Sequence, residues 1–258
     1  MTRMSMTIKN ANEIERMRAA GLVVALVHAR IQEALQPGVT TRELDDIARE
    51  TLKANGAVSS FLGYHGFPRH ICTSVNDEIV HGIPGGRRLH EGDIVSVDVG
   101  AIVDGYHGDS AWTYGVGTIS DEASRLLAAT EGALEAAVRA ALPGKRLGAI
   151  GRAVEDFAGE RGFGLVREYG GHGIGRQMHE DPHVPNHGNA ERGVLLRSGL
   201  TLAIEPMLNA GSDETRVRED AWTVVTADGS LSAHFEHTVA IADGEADILT
   251  RRVVPVVQ

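Results

Sequence analysis

The feature that most constrains the fold of this chain is a pattern that occurs twice, about 107 residues apart. The apolar segment Gly92–Asp98 resembles Gly199–Glu205, and each copy ends on a carboxylate. Two further pairs keep nearly the same offset: Tyr64–Gly66 with Gly171–Gly173, and Pro37-Gly38 with Pro143-Gly144. A solenoid repeat has only roughly 20–50 residues. The offset therefore predicts two αβ halves about a pseudo-twofold axis, with a crevice between them where ligand sites are favoured.

The helix signals also come in two pairs. Cap and stop residues predict four helices, over approximately 12–36, 40–55, 120–142 and 147–162. The first is expected to begin at a capping box of Asn12 and Glu15, the second at Thr40 with Glu43, and the third at Ser120. With the apolar strands of each half, these signals predict an α+β fold. We expect a single domain over residues 1–258, with approximate halves at 8–118 and 119–250.

The composition excludes some classes of binding partner and indicates the redox state of the compartment. Thirty-five acidic against 25 basic residues leave a formal charge of −10, which disfavours stable binding of nucleic acid or anionic lipid. Cys72 is the single cysteine, so the sequence offers no internal disulfide, and a reducing compartment is expected. The uncharged run 19–29 is far shorter than the roughly 20 residues that span a bilayer. No membrane span is predicted.

Two aspartates fall on a predicted hairpin. Asp98 lies on one strand and Asp109 on the next, with Asp104-Gly105 as a two-residue turn between them. That turn would pair Gly100 with Asp109, which places Asp98 and Asp109 on one face as diagonal neighbours roughly 7–8 Å apart. Two carboxylates so close in a half-buried site require a cation or a proton between them.

A second hairpin is predicted between the segments 222–226 and 231–241, with Glu236 pointing away from its apolar neighbours. Together with the two aspartates, His172 and Glu205, this residue gives four carboxylates and one imidazole. That donor set suits a pair of borderline divalent ions such as Co²⁺, Mn²⁺, Fe²⁺ or Zn²⁺. Any one of these acids alone is more often a solvated strand-end residue. The apolar runs around the two strand-end carboxylates favour the metal site.

Five motifs, in this order along residues 8–250, resemble those of type I methionine aminopeptidases. They are Cys72–Glu78, His81–Pro84, Gly171–Gly175, Ile204–Met207 and Ser232–Thr238. The resemblance implies the pita-bread fold, in which two pseudo-symmetric αβ halves surround a central antiparallel sheet. It also implies metal-dependent removal of the initiator methionine from the N-terminus of nascent proteins, with a preference for a small second residue.

The resemblance assigns a role to each candidate site residue. Two divalent ions would be held by five side chains: Asp98, Asp109, His172, Glu205 and Glu236. Asp109 and Glu236 would bridge the ions, which would activate a bridging hydroxide. Glu205 would carry the proton of the attacking water to the leaving amine. His179 would donate a hydrogen bond to the scissile carbonyl, and His81 would lie near the amide nitrogen.

The methionine pocket implied by the resemblance is mostly apolar. Its predicted residues, together with the two histidines His81 and His179, are Phe61, Tyr64, Phe67, Cys72, Met178 and Trp222. The family often has cysteine at positions 61 and 80, tyrosine at 67 and phenylalanine at 178, so the departures here concern pocket shape rather than the reaction. Cys72 is interpreted as a wall residue, since no partner histidine can be assigned to it. Asn76 and Ser232 resemble a monovalent-cation site.

Three alternatives remain at this point. Xaa-proline peptidases share the ligand set but usually carry a large extra N-terminal domain. Type II methionine enzymes carry an insertion between the histidine and glutamate that here stand at His172 and Glu205. A catalytically inactive relative that binds peptides, histones or nucleic acid would lose metal ligands, whereas all five are present. The favoured interpretation is a cytoplasmic, monomeric enzyme that acts on nascent chains, compatible with transient ribosome contact.

Overall fold

Four α-helices occur in the part of the chain that the structure, a computed structural model, describes, which is residues 6–252. They are α1 (Ala11–Ala34), α2 (Thr41–Ala54), α3 (Asp121–Ala140) and α4 (Gly148–Gly159). The two extremes of the predicted 1–258 domain, 1–5 and 253–258, lie outside the described residues. Within the described range, no helix combines the length and the apolar character that a membrane crossing needs.

The helix caps confirm two predicted starts and correct one. Thr40 caps α2 in a capping box with Glu43, and Ser120 caps α3, as predicted. The predicted box of Asn12 and Glu15 is wrong, because α1 begins two residues earlier. Asn10 accepts a hydrogen bond from the amide of Glu13 at 3.1 Å, and the Glu13 carboxylate accepts one from the Asn10 amide at 3.0 Å. Both pairs have the capping-box spacing, so spacing alone could not choose between them.

The strands are short, apart from one long hairpin, and every observed pairing is antiparallel. They are β1 (Val58–Ser59), β2 (Cys72–Val75), β3 (Glu78–Val80), β4 (Ile94–Val103), β5 (Tyr106–Gly115), β6 (Gly164–Leu165), β7 (Gly170–Gly173), β8 (Glu180–Pro185), β9 (Thr201–Ile204), β10 (Met207–Asn209), β11 (Thr215–Val217), β12 (Val224–Thr226), β13 (Ser232–His234), β14 (His237–Ala240) and β15 (Asp247–Ile248). One sheet joins β1, β2 and β5 to β4, and a second has the order β15-β14-β9-β7-β8. Two three-stranded sheets, β13-β10-β6 and β11-β12-β3, complete the architecture.

The hairpin of β4 and β5 has the predicted register. Val103 pairs with Tyr106, and Gly100 pairs with Asp109. Asp104 and Gly105 both have positive φ, at 49° and 75°. A two-residue hairpin turn with positive φ at both positions matches the twist of the flanking strands, so the turn fixes the register. Asp98 therefore lies on the same face of the hairpin as Asp109.

The second predicted hairpin is wrong. Strand β12 pairs with β3 and β11, whereas β13 pairs with β10. The predicted continuous strand 231–241 is interrupted at Phe235 and Glu236, because the amide of Glu236 donates to the carbonyl of Ala111 on β5 at 2.8 Å. The chain thereby leaves one sheet as β13 and enters another as β14. This interruption directs Glu236 towards the strands that carry the two aspartates.

Each helix pair covers a hydrophobic core of its own. Val24 and Ile31 of α1 and Leu44 of α2 pack against buried valines of β4. Leu126 of α3 and Val154 of α4 belong to a second core, which they form mainly with strands of the second half of the chain, such as β9 and β10. The side chain of Trp112 on β5 contacts both cores. This arrangement leaves the adjoining strand ends of the two halves free to form a site.

Candidate active site

The structure brings the five predicted metal ligands together around one cavity. Asp98 lies on β4, Asp109 on β5 and His172 on β7, while Glu205 follows β9 and Glu236 lies between β13 and β14. His172 Nε2 is 3.8 Å from Asp109 Oδ2 and 3.9 Å from Glu205 Oε1. One ligand atom from each of Asp109, His172 and Glu236 lies within 4.8 Å of the other two. Donor atoms at these separations could hold a metal ion.

Within the described part of the chain, three carboxylates at the centre of this cluster each keep one oxygen without a hydrogen-bond partner. Asp98 Oδ1, Asp109 Oδ1 and Glu236 Oε1 are buried and have no hydrogen-bond partner among the described residues. Burial raises the pKa of Asp98 to about 7. Burial and the neighbouring carboxylates raise the pKa values of Asp109 and Glu236 well above their usual range. Unpartnered buried carboxylate oxygens are costly without a cation, and with one imidazole they fit a borderline divalent metal.

His234 is a site neighbour that the sequence analysis did not select. Its Nε2 lies 3.5 Å from Glu205 Oε2, and the residue is 2% exposed. Burial acts to raise the pKa of Glu205, but the interaction with His234, helped by His172 and His81, leaves that pKa below its ordinary value. The sequence could have indicated His234 through its position two residues before Glu236, because residues two apart lie on one face of an extended segment.

His179 is held by Tyr64, which comes from the other half of the chain. Its Nδ1 lies 2.7 Å from the hydroxyl of Tyr64, and its ring centroid is 4.1 Å from that of His172. Burial lowers the pKa of His179 to about 4 and raises the pKa of Tyr64, so the imidazole is neutral and the phenol keeps its proton. When Tyr64 donates to Nδ1, the imidazole proton resides on Nε2. His179 can then donate one hydrogen bond from Nε2.

Two further histidines line the cavity, one predicted and one missed. His81 follows β3 with a positive φ of 61°, and burial lowers its pKa. His65, which was not predicted as a site residue, lies beside Tyr64 with ring centroids 4.4 Å apart. The resemblance assigned Tyr64 to the pocket, whereas His65 entered the prediction only as part of the repeated segment Tyr64–Gly66.

The predicted methionine-pocket residues line the same cavity, whose volume is about 390 Å³. Phe61, Phe67, Cys72 and Met178 form a buried cluster against which Tyr64 and Trp222 pack. Burial, followed by the charge of Asp98, raises the pKa of the Cys72 thiol well above its usual range. A thiol held protonated in this way is a poor nucleophile, consistent with a wall residue. An apolar wall of aromatic and sulfur-bearing side chains thus adjoins the carboxylate cluster.

Asn76 and Ser232 meet through their backbones. The amide of Ser232 donates to the carbonyl of Asn76 at 2.8 Å. The side-chain amide of Asn76 donates to Asp93 at 2.8 Å, and its oxygen accepts from the amide of Ile94 at 3.0 Å. The side chain of Asn76 is therefore engaged within the protein, and the monovalent-cation site stays a prediction.

Comparison with known proteins places this chain in a family. Residues 15–243 match the family model described as metallopeptidase family M24. The chain is 51% identical to methionine aminopeptidase 1 of Bacillus subtilis over 243 residues, which is 94% of this chain and 98% of that protein. It superposes on the methionine aminopeptidase of Rickettsia prowazekii with a TM-score of 0.94 at 38% identity, covering 96% of this chain and 100% of that one.

A solved structure with lower sequence identity has the same fold. The prolidase from Pyrococcus furiosus gives a TM-score of 0.78 at 22% identity, covering 96% of this chain and 66% of that protein. At this identity the likeness concerns the fold alone. Together the structural matches confirm the predicted pita-bread fold.

Proposed function

The chain belongs to metallopeptidase family M24, and from that premise we propose that it is a methionine aminopeptidase that removes the initiator methionine of nascent proteins. The proposal rests on one observation: an apolar surface and a cluster of carboxylates line the same cavity. An apolar pocket adjoins a buried carboxylate cluster in which three oxygens have no hydrogen-bond partner among the described residues. Such a cavity suits a substrate with one apolar side chain beside the bond to be hydrolysed.

We propose that two divalent ions, chosen from Co²⁺, Mn²⁺, Fe²⁺ and Zn²⁺, bind at the cluster. The residues that would hold them are Asp98, Asp109, His172, Glu205 and Glu236. When bound, such ions lower the pKa of a coordinated water to about 7 and polarise a carbonyl group. The unpartnered oxygens of the two aspartates and Glu236 support this assignment.

The protein's own groups would orient the substrate and move the proton. His179, neutral and oriented by Tyr64, donates from Nε2 to the carbonyl oxygen of the scissile bond as negative charge develops there. Glu205, whose pKa lies below its ordinary value, accepts the proton of the attacking water and passes it to the leaving amine. His81 lies on the same cavity and would contact the amide nitrogen.

The pocket supplies the specificity for methionine. Phe67 and Trp222 meet edge to face with centroids 5.1 Å apart, and Phe61, Cys72 and Met178 complete the buried wall. An unbranched thioether gains buried apolar area and sulfur–aromatic contact in such surroundings. The family resemblance adds the preference for a small second residue.

The proposal also covers the domain organisation, oligomeric state, compartment and partners of the protein. We propose a single peptidase domain with halves at 8–118 and 119–250 that acts as a cytoplasmic monomer on nascent N-termini, with transient ribosome contact. The acidic charge of −10 supports the absence of stable nucleic-acid binding. The cation site at Asn76 and Ser232 belongs to this proposal on resemblance alone.

The test is single-residue release from Met-Ala-Ser and Ala-Pro-Ala by metal-stripped protein, with Co²⁺, Mn²⁺, Fe²⁺ or Zn²⁺ added back separately. We expect metal-dependent release of methionine alone, and the rates rank the ions. Release of alanine from Ala-Pro-Ala would move the chain to the proline-specific branch of the family. No turnover with any ion would favour an inactive binding protein.

A further inference from the structure

The segment that precedes α1 is attached to the second half of the chain. Ile8 forms an isolated antiparallel bridge with Leu200, and the amide of Lys9 donates to the carbonyl of Gly199 at 2.7 Å. Gly199 has a positive φ of 87°, and a Cβ there would lie 2.5 Å from the carbonyl oxygen of Lys9. The close approach requires glycine, so the backbone of Lys9 has a fixed position beside β9.

The side chain of Lys9 forms a buried ion pair with Glu180. Lys9 Nζ lies 2.6 Å from Glu180 Oε2, and the two residues are only 6% and 7% exposed. The hydroxyl of Thr7 donates to the same carboxylate oxygen at 2.6 Å and lies 2.5 Å from Lys9 Nζ. Burial acts to raise the pKa of Glu180, but the bonds from Lys9 and Thr7 outweigh it and leave that pKa below its usual value.

The other oxygen of Glu180 fixes a turn of the chain. Glu180 Oε1 accepts from the amide of Arg176 at 2.9 Å and from the amide of Gln177 at 3.3 Å. At Gly175, an added Cβ would lie 2.4 Å from Cε of Lys9, so the turn packs directly on the lysine side chain. One carboxylate thus joins the segment before α1 to the turn 175–180.

That turn carries His179, the residue directly before Glu180. Its imidazole must reach Tyr64 on one side and the substrate carbonyl on the other, and a misplacement of about 1 Å costs a large factor in rate. We propose that Lys9, through Glu180, is a positioning residue for His179. This inference rests on the proposed function, and it deepens that function by adding a residue far from His179 in the sequence.

A purely structural ion pair would behave differently from a positioning pair. If Lys9 only stabilises the fold, its replacement lowers the melting temperature and leaves the kcat of the folded enzyme unchanged. If Lys9 acts through His179, its replacement lowers kcat in the folded enzyme, and the effect disappears once His179 has been removed. A double-substitution cycle separates the two cases.

The experiment compares Lys9→Met, His179→Ala and the combined variant as metal-loaded enzymes on Met-Ala-Ser. We expect Lys9→Met to lower kcat about tenfold with KM changed less than twofold, and to lower it less than twofold in the His179→Ala background. Lys145→Met, at an exposed lysine, is the matched control and should leave kcat and KM unchanged. Lys9→Met/Glu180→Gln, which removes both charges, should recover most of the lost kcat.

A second readout does not depend on activity. Amide hydrogen exchange across residues 175–180 of the metal-free chain should become faster in Lys9→Met and stay unchanged in Lys145→Met, because the Arg176 and Gln177 amides lose their fixed acceptor. If Lys9→Met fails to fold, Thr7→Val, which deletes one hydroxyl from the same cluster, takes its place with a smaller fall in kcat.

The outcomes distinguish the inference from the proposed function. An equal fall in kcat with and without His179, or no fall in either background, would overturn the positioning role while leaving the function intact. A wild-type enzyme that releases no methionine with any metal would overturn the proposed function and this inference with it.

Discussion

Buried carboxylates in two regions of the molecule differ in the hydrogen-bond donors that the protein supplies to them. At the cavity centre, Asp98, Asp109 and Glu236 keep unpartnered oxygens, and their pKa values are raised. Glu180 is buried as well, yet Lys9 and Thr7 bind one of its oxygens, two backbone amides bind the other, and its pKa is lowered.

The presence or absence of hydrogen-bond donors indicates which buried acids are suited to bind a cation. A buried carboxylate needs a counter-charge or donors, and removing them costs several kcal/mol. Glu180 obtains its donors from the chain itself, so it belongs to the framework. In the central cluster, one oxygen of each of Asp98, Asp109 and Glu236 obtains no donor from the described residues, so a bound cation or a proton is needed there. Burial alone therefore does not mark a functional acid, whereas burial without a partner does.

The largest expected effect comes from the central cluster. Asp109→Asn should lower kcat/KM for Met-Ala-Ser on the order of 10⁴-fold, equivalent to about 5 kcal/mol of transition-state stabilisation. The melting temperature of the metal-free protein should not fall, because the substitution replaces a buried carboxyl group whose Oδ1 has no hydrogen-bond partner among the described residues. Asp104→Asn, at the exposed turn of the same hairpin, is the control. A lower melting temperature in metal-free Asp109→Asn would show that the protein itself stabilises the Asp109 carboxyl group.

The paired acid should respond in the reverse way. Glu180→Gln leaves Lys9 as a buried cation without its counter-charge and should lower the free energy of unfolding by roughly 3–5 kcal/mol. Denaturant unfolding measures the loss, with the exposed Glu191→Gln as control. The double variant Lys9→Met/Glu180→Gln should regain most of the stability. Wild-type stability in Glu180→Gln alone would show that the ion pair is unimportant.

Metal addition should stabilise the protein through the central cluster and not through Glu180. At a free Mn²⁺ concentration about 100 times Kd, the free energy of unfolding should rise by about 2.7 kcal/mol per independent site. The increase should be absent or strongly reduced in Asp109→Asn and retained in Glu180→Gln. Thermal unfolding with and without EDTA provides the measurement. Equal stabilisation of the wild type and Asp109→Asn would place the ion elsewhere.

A smaller effect is expected from His28, a buried titratable group whose partners are neutral. Its Nε2 donates to the carbonyl of Ser110 at 3.0 Å, its Nδ1 lies 3.0 Å from the hydroxyl of Tyr114, and burial lowers its pKa to about 4. The unfolded chain therefore binds a proton below about pH 6.5 that the folded chain excludes down to about pH 4. Stability is fully present above that range and falls as the pH falls.

Between about pH 7 and pH 5.5, this single group should cost about 1 kcal/mol of stability. Denaturant unfolding at the two pH values measures the slope, and His28→Gln should reduce it by that amount. An unchanged slope in His28→Gln would mean that other groups account for the pH dependence.

The sequence predicted the register of the first hairpin because local chemistry determines it. Asp104-Gly105 accepts two positive φ angles, so the turn fixes the pairing that brings Asp98 and Asp109 to one face. The second hairpin could not be predicted in this way. The interruption at Glu236 depends on a hydrogen bond to Ala111, more than 100 residues earlier, and local alternation carries no record of it.

The residues that sequence reasoning missed are also defined by distant contacts. Lys9 has no special neighbours in the sequence, and its burial arises only because Glu180 lies beside it in the fold. His234 lies within the motif Ser232–Thr238, which resembles that of type I methionine aminopeptidases. Its proximity to Glu205, however, depends on the pairing of β13 with β10. Motifs indicated the proposed metal ligands, whereas three-dimensional packing is needed to find the groups that contact them.

Anomalous diffraction from crystals grown with Mn²⁺ would show directly whether the unpartnered carboxylates form a divalent-metal centre. We expect two anomalous peaks about 3.5–4 Å apart, both contacted by Asp109 and Glu236, with no peak at Glu180. An empty central cluster, or peaks confined to exposed acids at the surface, would contradict it.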